Sequence, residues 1–189
     1  MATIPLHHLF IRGLLLVAAM LATVSTVSFA SALDAGKDGW YATGDGIRYK
    51  KIAFVSVKVY AISHAAKQLP PAKSKQAMID LDADKRFVWR MLRDVDVEKI
   101  QNAMREAYGL NGYGDGGKIG QMVGTFTHDL KEGTQVTISY DSTAKSTTIR
   151  VGGDGSATVP GVDFMKATWS IWFGKIDQPD LGDALISRM

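Results

Sequence analysis

Cysteine is absent from this sequence of 189 residues. A chain without cysteine forms no disulfides, so its fold has to be held together by a hydrophobic core. The same absence excludes a thiol nucleophile and a zinc site with cysteine ligands. It also argues against a small extracellular scaffold of the disulfide-rich type, and it is compatible with a bacterial periplasm.

Paired histidines and a serine nucleophile motif are also missing. Only His64 and His128 follow the N-terminal segment, and no H-x-x-x-H or H-E-x-x-H spacing occurs. The G-x-S-x-G turn of serine hydrolases is lacking as well. Asp80, Asp82 and Asp84 resemble the start of a calcium loop, but the glycine and the distal glutamate of such a loop are not there. We interpret these aspartates as a solvated turn and predict no metal site.

Neither sign of charge is in large excess. The chain has 22 basic and 19 acidic residues, and Lys67, Lys73 and Lys75 share a stretch rich in alanine and proline that is typical of a solvated loop. Five glycines between residues 111 and 120 could suggest a phosphate-binding loop. A helix is predicted before them and a strand after them, however, which is the reverse of the order that such a loop needs. We predict a mobile connection there and no nucleic-acid partner.

Residues 1–32 have the organisation of a cleavable signal peptide. Arg12 is their one fixed charge, residues 14–27 form a weakly polar to apolar run, and Ala30-Ser31-Ala32 supplies the small side chains that a signal peptidase requires. We predict cleavage after Ala32 and export across the inner membrane to the periplasm. Residues 28–30 offer a second acceptable cleavage site.

An uncleaved membrane anchor is the alternative for this segment. A spanning helix needs about 20 mainly apolar residues, and the run reaches that length only by counting several serines and threonines. No later segment approaches a spanning length, so we predict no membrane span after cleavage. Residues 33–189 are then of a size that forms a single domain around one core.

Strand-like alternation begins in the middle of the first half of the chain. Val55, Val57 and Val59 alternate with polar side chains, which predicts a strand over residues 52–62 with the valine face buried. Phe54 has the opposite parity and indicates a bulge or burial on both faces. Further short strands are predicted over residues 87–92, 135–140, 146–151 and 156–159.

Three helices are predicted from apolar periodicity and from their end signals. The first covers residues 94–109, the second covers residues 164–173 between a capping Asp163 and Gly174, and the third opens at Pro179. These helices do not alternate regularly with the strands. The pattern therefore favours an α+β domain in which helices cover one face of an antiparallel sheet.

Several motifs resemble the chalcone isomerase fold. Gly44-x-Gly46-x-Arg48, followed by Phe54 and Val59-Tyr60, is similar to the opening of that fold. Other segments resemble the exported bacterial branch of the chalcone isomerase-like family, and they cover residues 87–100, 129–133 and 171–181. The resemblance implies an open-faced β-sandwich with a cleft between sheet and helices, and it implies no cofactor.

The resemblance also bears on catalysis. The plant enzymes of this family close a flavanone ring with an arginine and a set of polar side chains, and of these the alignment retains the arginine as Arg48. The strand threonine falls on Val55, the tyrosine near Asp96, the asparagine near Ala103 and the late-helix hydroxyl on Ile171. Apolar side chains cannot stabilise a developing oxyanion. We therefore expect no activity toward chalcones.

Non-catalytic relatives of this fold bind fatty acids, and the resemblance implies a small amphiphilic ligand here. Arg48 would bind the carboxylate in a bidentate manner, with Tyr60 or Lys58 as helpers. Three alternatives stay open. Arg48 could tie a loop to a helix end, the chain could be an isomerase or intramolecular lyase that uses Tyr60, Asp96 or His64, or it could be a periplasmic module for an unknown protein partner.

Overall fold

The computed structural model describes residues 34–189, and the predicted signal peptide lies outside the described residues. The described part contains six strands and five helices. In chain order they are β1 (Tyr41–Ile52), β2 (Val55–Ala66), α1 (Lys75–Asp80), β3 (Lys85–Met91), α2 (Val97–Leu110), α3 (Gly116–Val123), β4 (Gln135–Asp141), β5 (Ser146–Val151), β6 (Gly155–Pro160), α4 (Val162–Phe173) and α5 (Pro179–Ala184).

The six strands form one antiparallel sheet in the order β1-β2-β3-β4-β5-β6, so each strand pairs with its neighbour in sequence. Buried and less buried residues alternate along β3, β4 and β5. Trp89 and Ile138 are buried on one face, whereas Arg90 is exposed on the other. This alternation is typical of a sheet with one covered face. The predicted α+β class and the antiparallel sheet are confirmed.

Helix α4 forms the centre of the layer that covers the sheet. Eight of its twelve residues are buried, which agrees with its strongly apolar sequence, because a helix that is apolar on all sides has to be enclosed. The rings of Trp169, Trp172 and Phe173 lie 5.2, 4.5 and 5.6 Å from the ring of Phe87 on β3. These aromatic contacts join the helix layer to the sheet.

The starts of the helices differ from the sequence prediction. Helix α4 has Gly161 as its N-cap, and Asp163 lies in the first turn, where its carboxylate binds Lys118 and Tyr113 instead of capping. The glycine-rich segment was predicted as a connection throughout, but its second half begins α3. Asp115 caps this helix by accepting a hydrogen bond from the backbone N–H of Lys118 at 3.0 Å.

Strand β1 was not predicted, because Gly44 and Gly46 are unfavourable in strands. Its packing explains the glycines. A Cβ atom at Gly44 would collide with the backbone of Ala184 and Leu185, and one at Gly46 would lie 2.7 Å from the side chain of Leu181. The two glycines therefore let the C-terminal helix α5 approach the sheet closely.

From Tyr60 onward the buried face of β2 is the opposite of the prediction, whereas Val57 and Val59 on the predicted face are half-buried. Tyr60, Ile62 and His64 are buried, whereas Val55 is exposed. One reason is a bulge at Val59: Arg48 pairs with Tyr60, and the next residue of β1 pairs with Lys58, which reverses the parity of the strand. Phe54 is not part of a bulged strand, since it lies in the two-residue turn that joins β1 to β2.

The far end of the β1–β2 hairpin projects beyond the sheet. Strand β2 pairs with β3 only from Tyr60 to Ala66, so residues 55–58 pair with β1 alone.

No helix within residues 34–189 is long and apolar enough to cross a membrane. The longest one, α2, has 14 residues.

Candidate ligand-binding cleft

A cleft with a volume of 1030 Å³ opens between the β1–β2 hairpin and helix α2. Residues 93–96 close it on one side, and the segment 175–177 after α4 closes it on the other. Small-molecule sites in proteins usually have volumes of roughly 300–1,000 Å³. The cleft is therefore large enough for an organic ligand of considerable length.

Three aromatic side chains form the floor of the cleft. The ring of Tyr60 stacks on Trp89 at 5.0 Å, and Trp172 meets Trp89 edge-on at 5.2 Å. All three side chains are buried. Ile171 adds an aliphatic surface beside them. This floor provides apolar contact area and few polar groups, so it suits the hydrocarbon part of a ligand.

The α2 wall carries small side chains at the surface of the cleft. Ala103 and Ala107 lie one turn apart and both line it, while Ile100 and Met104 beside them are buried. Residues four apart on a helix share one face. The two alanines therefore leave open a channel along the helix, with the apolar side chains of Ile100 and Met104 beneath it.

Arg48 is the least exposed of the five basic residues that line the cleft; the other four are Lys50, Arg93, Lys99 and Lys175. Arg48 Nη2 donates to Asp177 Oδ1 at 2.5 Å, and its Nη1 donates to the carbonyl oxygen of Tyr49 at 2.9 Å and to Gln178 Oε1 at 3.3 Å. Its side chain is only 16% exposed, whereas that of Asp177 is 55% exposed. Arg48 therefore ties the loop before α5 to β1. This agrees with the alternative, stated above, that Arg48 ties a loop to a helix end.

The ionisation states of the cleft follow from these contacts. Burial raises the pKa of the Tyr60 phenol, and the nearby Arg48 offsets only part of that rise. The Tyr60 hydroxyl accepts a hydrogen bond from Trp172 Nε1 at 3.1 Å, which also offsets part of the rise in its pKa. Because burial outweighs both contacts, the phenol is neutral at neutral pH. Partial burial raises the pKa of Asp177, but Arg48 and Lys50 outweigh that effect and hold its pKa below the usual range. Asp177 is therefore a carboxylate at neutral pH.

Three of the four positions that align with catalytic residues of the plant enzymes lie in the cleft, and one does not. Asp96, Ala103 and Ile171 line the cleft. Val55 does not, because it lies at the hairpin tip with 62% of its surface exposed. Lys58 is also outside the cleft: it is exposed and pairs with Tyr49 on the sheet face that points away from Tyr60.

His64 lies in the core and not in the cleft. Its Nε2 accepts a hydrogen bond from Trp169 Nε1 at 2.9 Å, and its Nδ1 is 2.6 Å from the hydroxyl of Thr43. Burial lowers the pKa of His64 well below 6.5, and the charge of Lys85 lowers it further. Of the three titratable candidates for an alternative active site, Tyr60 and Asp96 are therefore the two that reach the cleft.

Two residues of the cleft, Asp177 and Asn102, were not predicted from the sequence. Asp177 lies 129 residues after Arg48, and no local pattern indicates that the loop returns to β1. Asn102, one residue before Ala103, lines the cleft as well. Trp172 lies on the helix predicted over residues 164–173, and no sequence pattern indicates that it faces the cleft.

The chemistry that this cleft supports is recognition more than catalysis. Among the described residues that line it, none is serine, threonine or histidine, so the phenol of Tyr60 is the one side-chain hydroxyl available there to stabilise an enolate. Residues 34–189 also contain no group of three His, Asp or Glu side chains arranged to hold a metal ion. A cation at the mouth of an apolar channel matches an anionic amphiphile.

Comparison with known proteins agrees with this geometry. The model of the family described as chalcone isomerase-like matches residues 21–185. The fold is similar to the crystal structure of a fatty-acid binding protein from Arabidopsis thaliana, with a TM-score of 0.65 and 14% sequence identity over 80% of this chain and 89% of that chain. No curated protein sequence matches this chain. Because the family model covers most of the sequence, the chain belongs to the chalcone isomerase-like family.

Proposed function

We propose that the protein binds an anionic amphiphile of the fatty-acid type in this cleft and catalyses no reaction on it. The observation that carries the proposal is the position of Arg48, a mostly buried cation that opens onto an apolar channel. The similar Arabidopsis structure, whose title names a fatty-acid binding protein, supports the same ligand class.

The ligand's tail would lie along the alanines of α2 above the aromatic floor. Burial of hydrocarbon contributes about 0.8 kcal/mol per methylene group, so a long chain gains affinity with each carbon that it places in the channel. The carboxylate would reach Arg48 at the mouth, where a planar guanidinium can form two parallel hydrogen bonds.

Asp177 occupies this place in the structure and acts as an internal substitute for the ligand carboxylate. It lies on the loop before α5, and more than half of its side chain is exposed to solvent. Its contact with Arg48 is therefore one that a ligand can replace, because water can solvate the released carboxylate. Lys50 Nζ, 3.4 Å from Asp177 Oδ2, keeps a cation beside Asp177 when Arg48 is taken by the ligand.

Native mass spectrometry of the purified protein tests the proposed function. We expect a co-purified lipid carboxylate, and after delipidation we expect saturable binding of a fluorescent fatty acid. A fatty acid should displace the probe better than the alcohol of the same chain length. Absence of both a co-purified lipid and probe binding would contradict the proposal.

The same protein should not accelerate ring closure of a hydroxychalcone above the rate in buffer. The alternative, an isomerase or intramolecular lyase, would gain support from a stereoselective rate well above that background. Binding and turnover are measured separately, so the two outcomes are distinguishable.

Export to the periplasm is the second part of the proposal, and it rests on the organisation of residues 1–32. In a Gram-negative host, intact-mass analysis of the recovered protein should show a chain that begins at Leu33, or at Ser31 if the second cleavage site is used. A protein that retains residues 1–32 would contradict this part and leave the ligand proposal to its own test.

A further inference from the structure

The tip of the β1–β2 hairpin exposes two adjacent apolar side chains. Phe54 is fully exposed, with a relative exposure of 104%, and Val55 is 62% exposed. Single exposed apolar residues are ordinary on protein surfaces, but a phenylalanine without any packing contributes nothing to the stability of the fold. Two adjacent exposed apolar residues at a hairpin tip therefore indicate contact with another surface.

The hairpin carries the tip away from the domain. Residues 55–58 pair with β1 alone, so the last part of the hairpin is a two-stranded ribbon. From Val59 to Phe54 the ribbon extends about 17 Å, at roughly 3.3 Å per residue. Phe54 and Val55 can therefore reach an extended surface before the rest of the domain contacts it.

Both strands of the ribbon carry lysines behind the apolar tip. Lys50, Lys51 and Lys58 are exposed, and no acidic residue occurs between Tyr49 and Tyr60. An apolar tip with ammonium groups behind it matches the interface of a bilayer. Apolar side chains enter the boundary between headgroups and acyl chains, and lysines are attracted to anionic headgroups by about 1 kcal/mol each.

We propose that the hairpin tip is a docking site for a lipid bilayer with anionic headgroups, into which Phe54 and Val55 insert. A second copy of the chain is a poorer occupant, because contact between two such tips would bring three lysines against three lysines. Arg48 and Val57 on the same two strands line the cleft. A docked tip would therefore place the mouth of the cleft close to the lipid, although vesicle binding is measured without reference to any ligand in the cleft.

A single introduced cysteine tests this proposal, because the chain has none of its own. Val55→Cys is labelled with a polarity-sensitive dye. The matched control is Lys67→Cys, an exposed position just beyond the other end of the same hairpin. We expect a blue shift of the Val55 label with vesicles of phosphatidylcholine and phosphatidylglycerol, a much smaller shift with phosphatidylcholine alone, and no shift of the Lys67 label with either.

Substitutions at the tip provide the second measurement. In the labelled protein, Phe54→Ser should weaken partition into anionic vesicles by roughly ten- to a hundredfold, because the transfer of the phenylalanine ring out of water is lost. Lys51→Gln should weaken it by roughly fivefold, and Lys67→Gln should leave it unchanged. All proteins are compared with the same N-terminus, established by intact mass.

Three results would overturn the proposal. The first is a Val55 label that does not shift with anionic vesicles. The second is equal partition of wild type and Phe54→Ser. The third is a blue shift that appears without vesicles and grows with protein concentration, which would assign the tip to contact between copies. Because the label reports the tip alone, lipid binding elsewhere on the chain would not produce the expected shift.

Discussion

At the scale of single residues, the proposed function makes the contact between Arg48 and Asp177 the one that a ligand carboxylate has to replace. Asp177→Asn removes the resident carboxylate and keeps the shape of the side chain. We expect the affinity for a fatty acid to rise roughly two- to fivefold, because a partly exposed ion pair contributes about 0.2–1 kcal/mol. The fluorescent fatty-acid titration measures this change.

Asp180→Asn is the matched control for that variant. It makes the same change of charge three residues away, in the first turn of α5, and its carboxylate is not bonded to Arg48. An affinity that rises equally in both variants would attribute the effect to net charge. An affinity that falls in Asp177→Asn would contradict the role of Asp177 as a substitute for the ligand.

The buried His64 makes the stability of the fold depend on pH. Its Nε2 accepts from Trp169, so the neutral ring carries its proton on Nδ1, toward Thr43. Burial holds the pKa of His64 in the folded state well below 6.5, whereas the unfolded chain takes up a proton near pH 6.5. Stability attributable to His64 is therefore complete above pH 6.5 and decreases as the pH falls below it, by up to about 1.4 kcal/mol per pH unit.

Urea unfolding of wild type and two variants between pH 7.5 and 5 checks this prediction. His64→Gln should remove most of the slope, because an amide does not titrate. His128→Asn removes the other described histidine, which is exposed, and is the control for the loss of an imidazole. Equal slopes in wild type and His64→Gln would contradict the assignment.

At the scale of elements, the proposed function places the ligand's tail along the face of α2 that carries Ala103 and Ala107. Ala103→Phe fills the channel from an exposed position, so the fold should not be disturbed. We expect the fatty-acid affinity to fall roughly tenfold, since forcing a ring against a ligand costs about 1–3 kcal/mol. Arg105→Phe places the same ring on α2 outside the cleft and should leave the affinity unchanged. Equal effects of the two variants in the titration would contradict this position for the channel.

Several elements could be predicted from the sequence because their patterns are local. The alternation in β4 and β5 and the uniformly apolar α4 identify these elements and their place in the core. The same rules failed for β1, where Gly44 and Gly46 serve the approach of α5, a contact with residues more than 130 positions away. They also failed for the buried face of β2. The bulge at Val59 and the projecting end of the hairpin are set by the pairing of β2 with β1 and β3, and alternation within one strand does not reveal that pairing.

The partners of charged residues, both in the cleft and in the core, could not be predicted from local sequence patterns either. Arg48 was identified through a motif, but its partner Asp177 depends on a loop that only the folded chain brings back. Lys85 is fully buried although strand lysines usually face water. Its Nζ donates to the carbonyl oxygens of Met78 and Ile79 at 2.8 and 3.1 Å, so it binds the C-terminal end of α1, which no pattern in the sequence indicates.

At the scale of the whole molecule, the sheet, the helix layer and the projecting hairpin combine into one arrangement. The sheet and α4 supply an aromatic floor, α2 supplies an open channel, and β1 brings Arg48 to its mouth. The fold holds these three parts with its core alone, since the chain has no disulfide. The family's fold is retained here, and the phenol of Tyr60 is the one side-chain hydroxyl among the described residues that line its cleft.

The most direct test of this account is the affinity of Arg48 variants for a carboxylate and for the alcohol of the same chain length. Arg48→Ala should weaken fatty-acid binding by about 1.5–3 kcal/mol, the usual contribution of a hydrogen bond to a charged group, and should leave the alcohol's affinity unchanged. Arg48→Lys should recover part of the loss, because an ammonium lacks the planar fork. Arg90→Ala, an exposed arginine on the open face of the sheet, is the control. Unchanged carboxylate affinity in Arg48→Ala, or normal binding with a much lower melting temperature, would contradict the account.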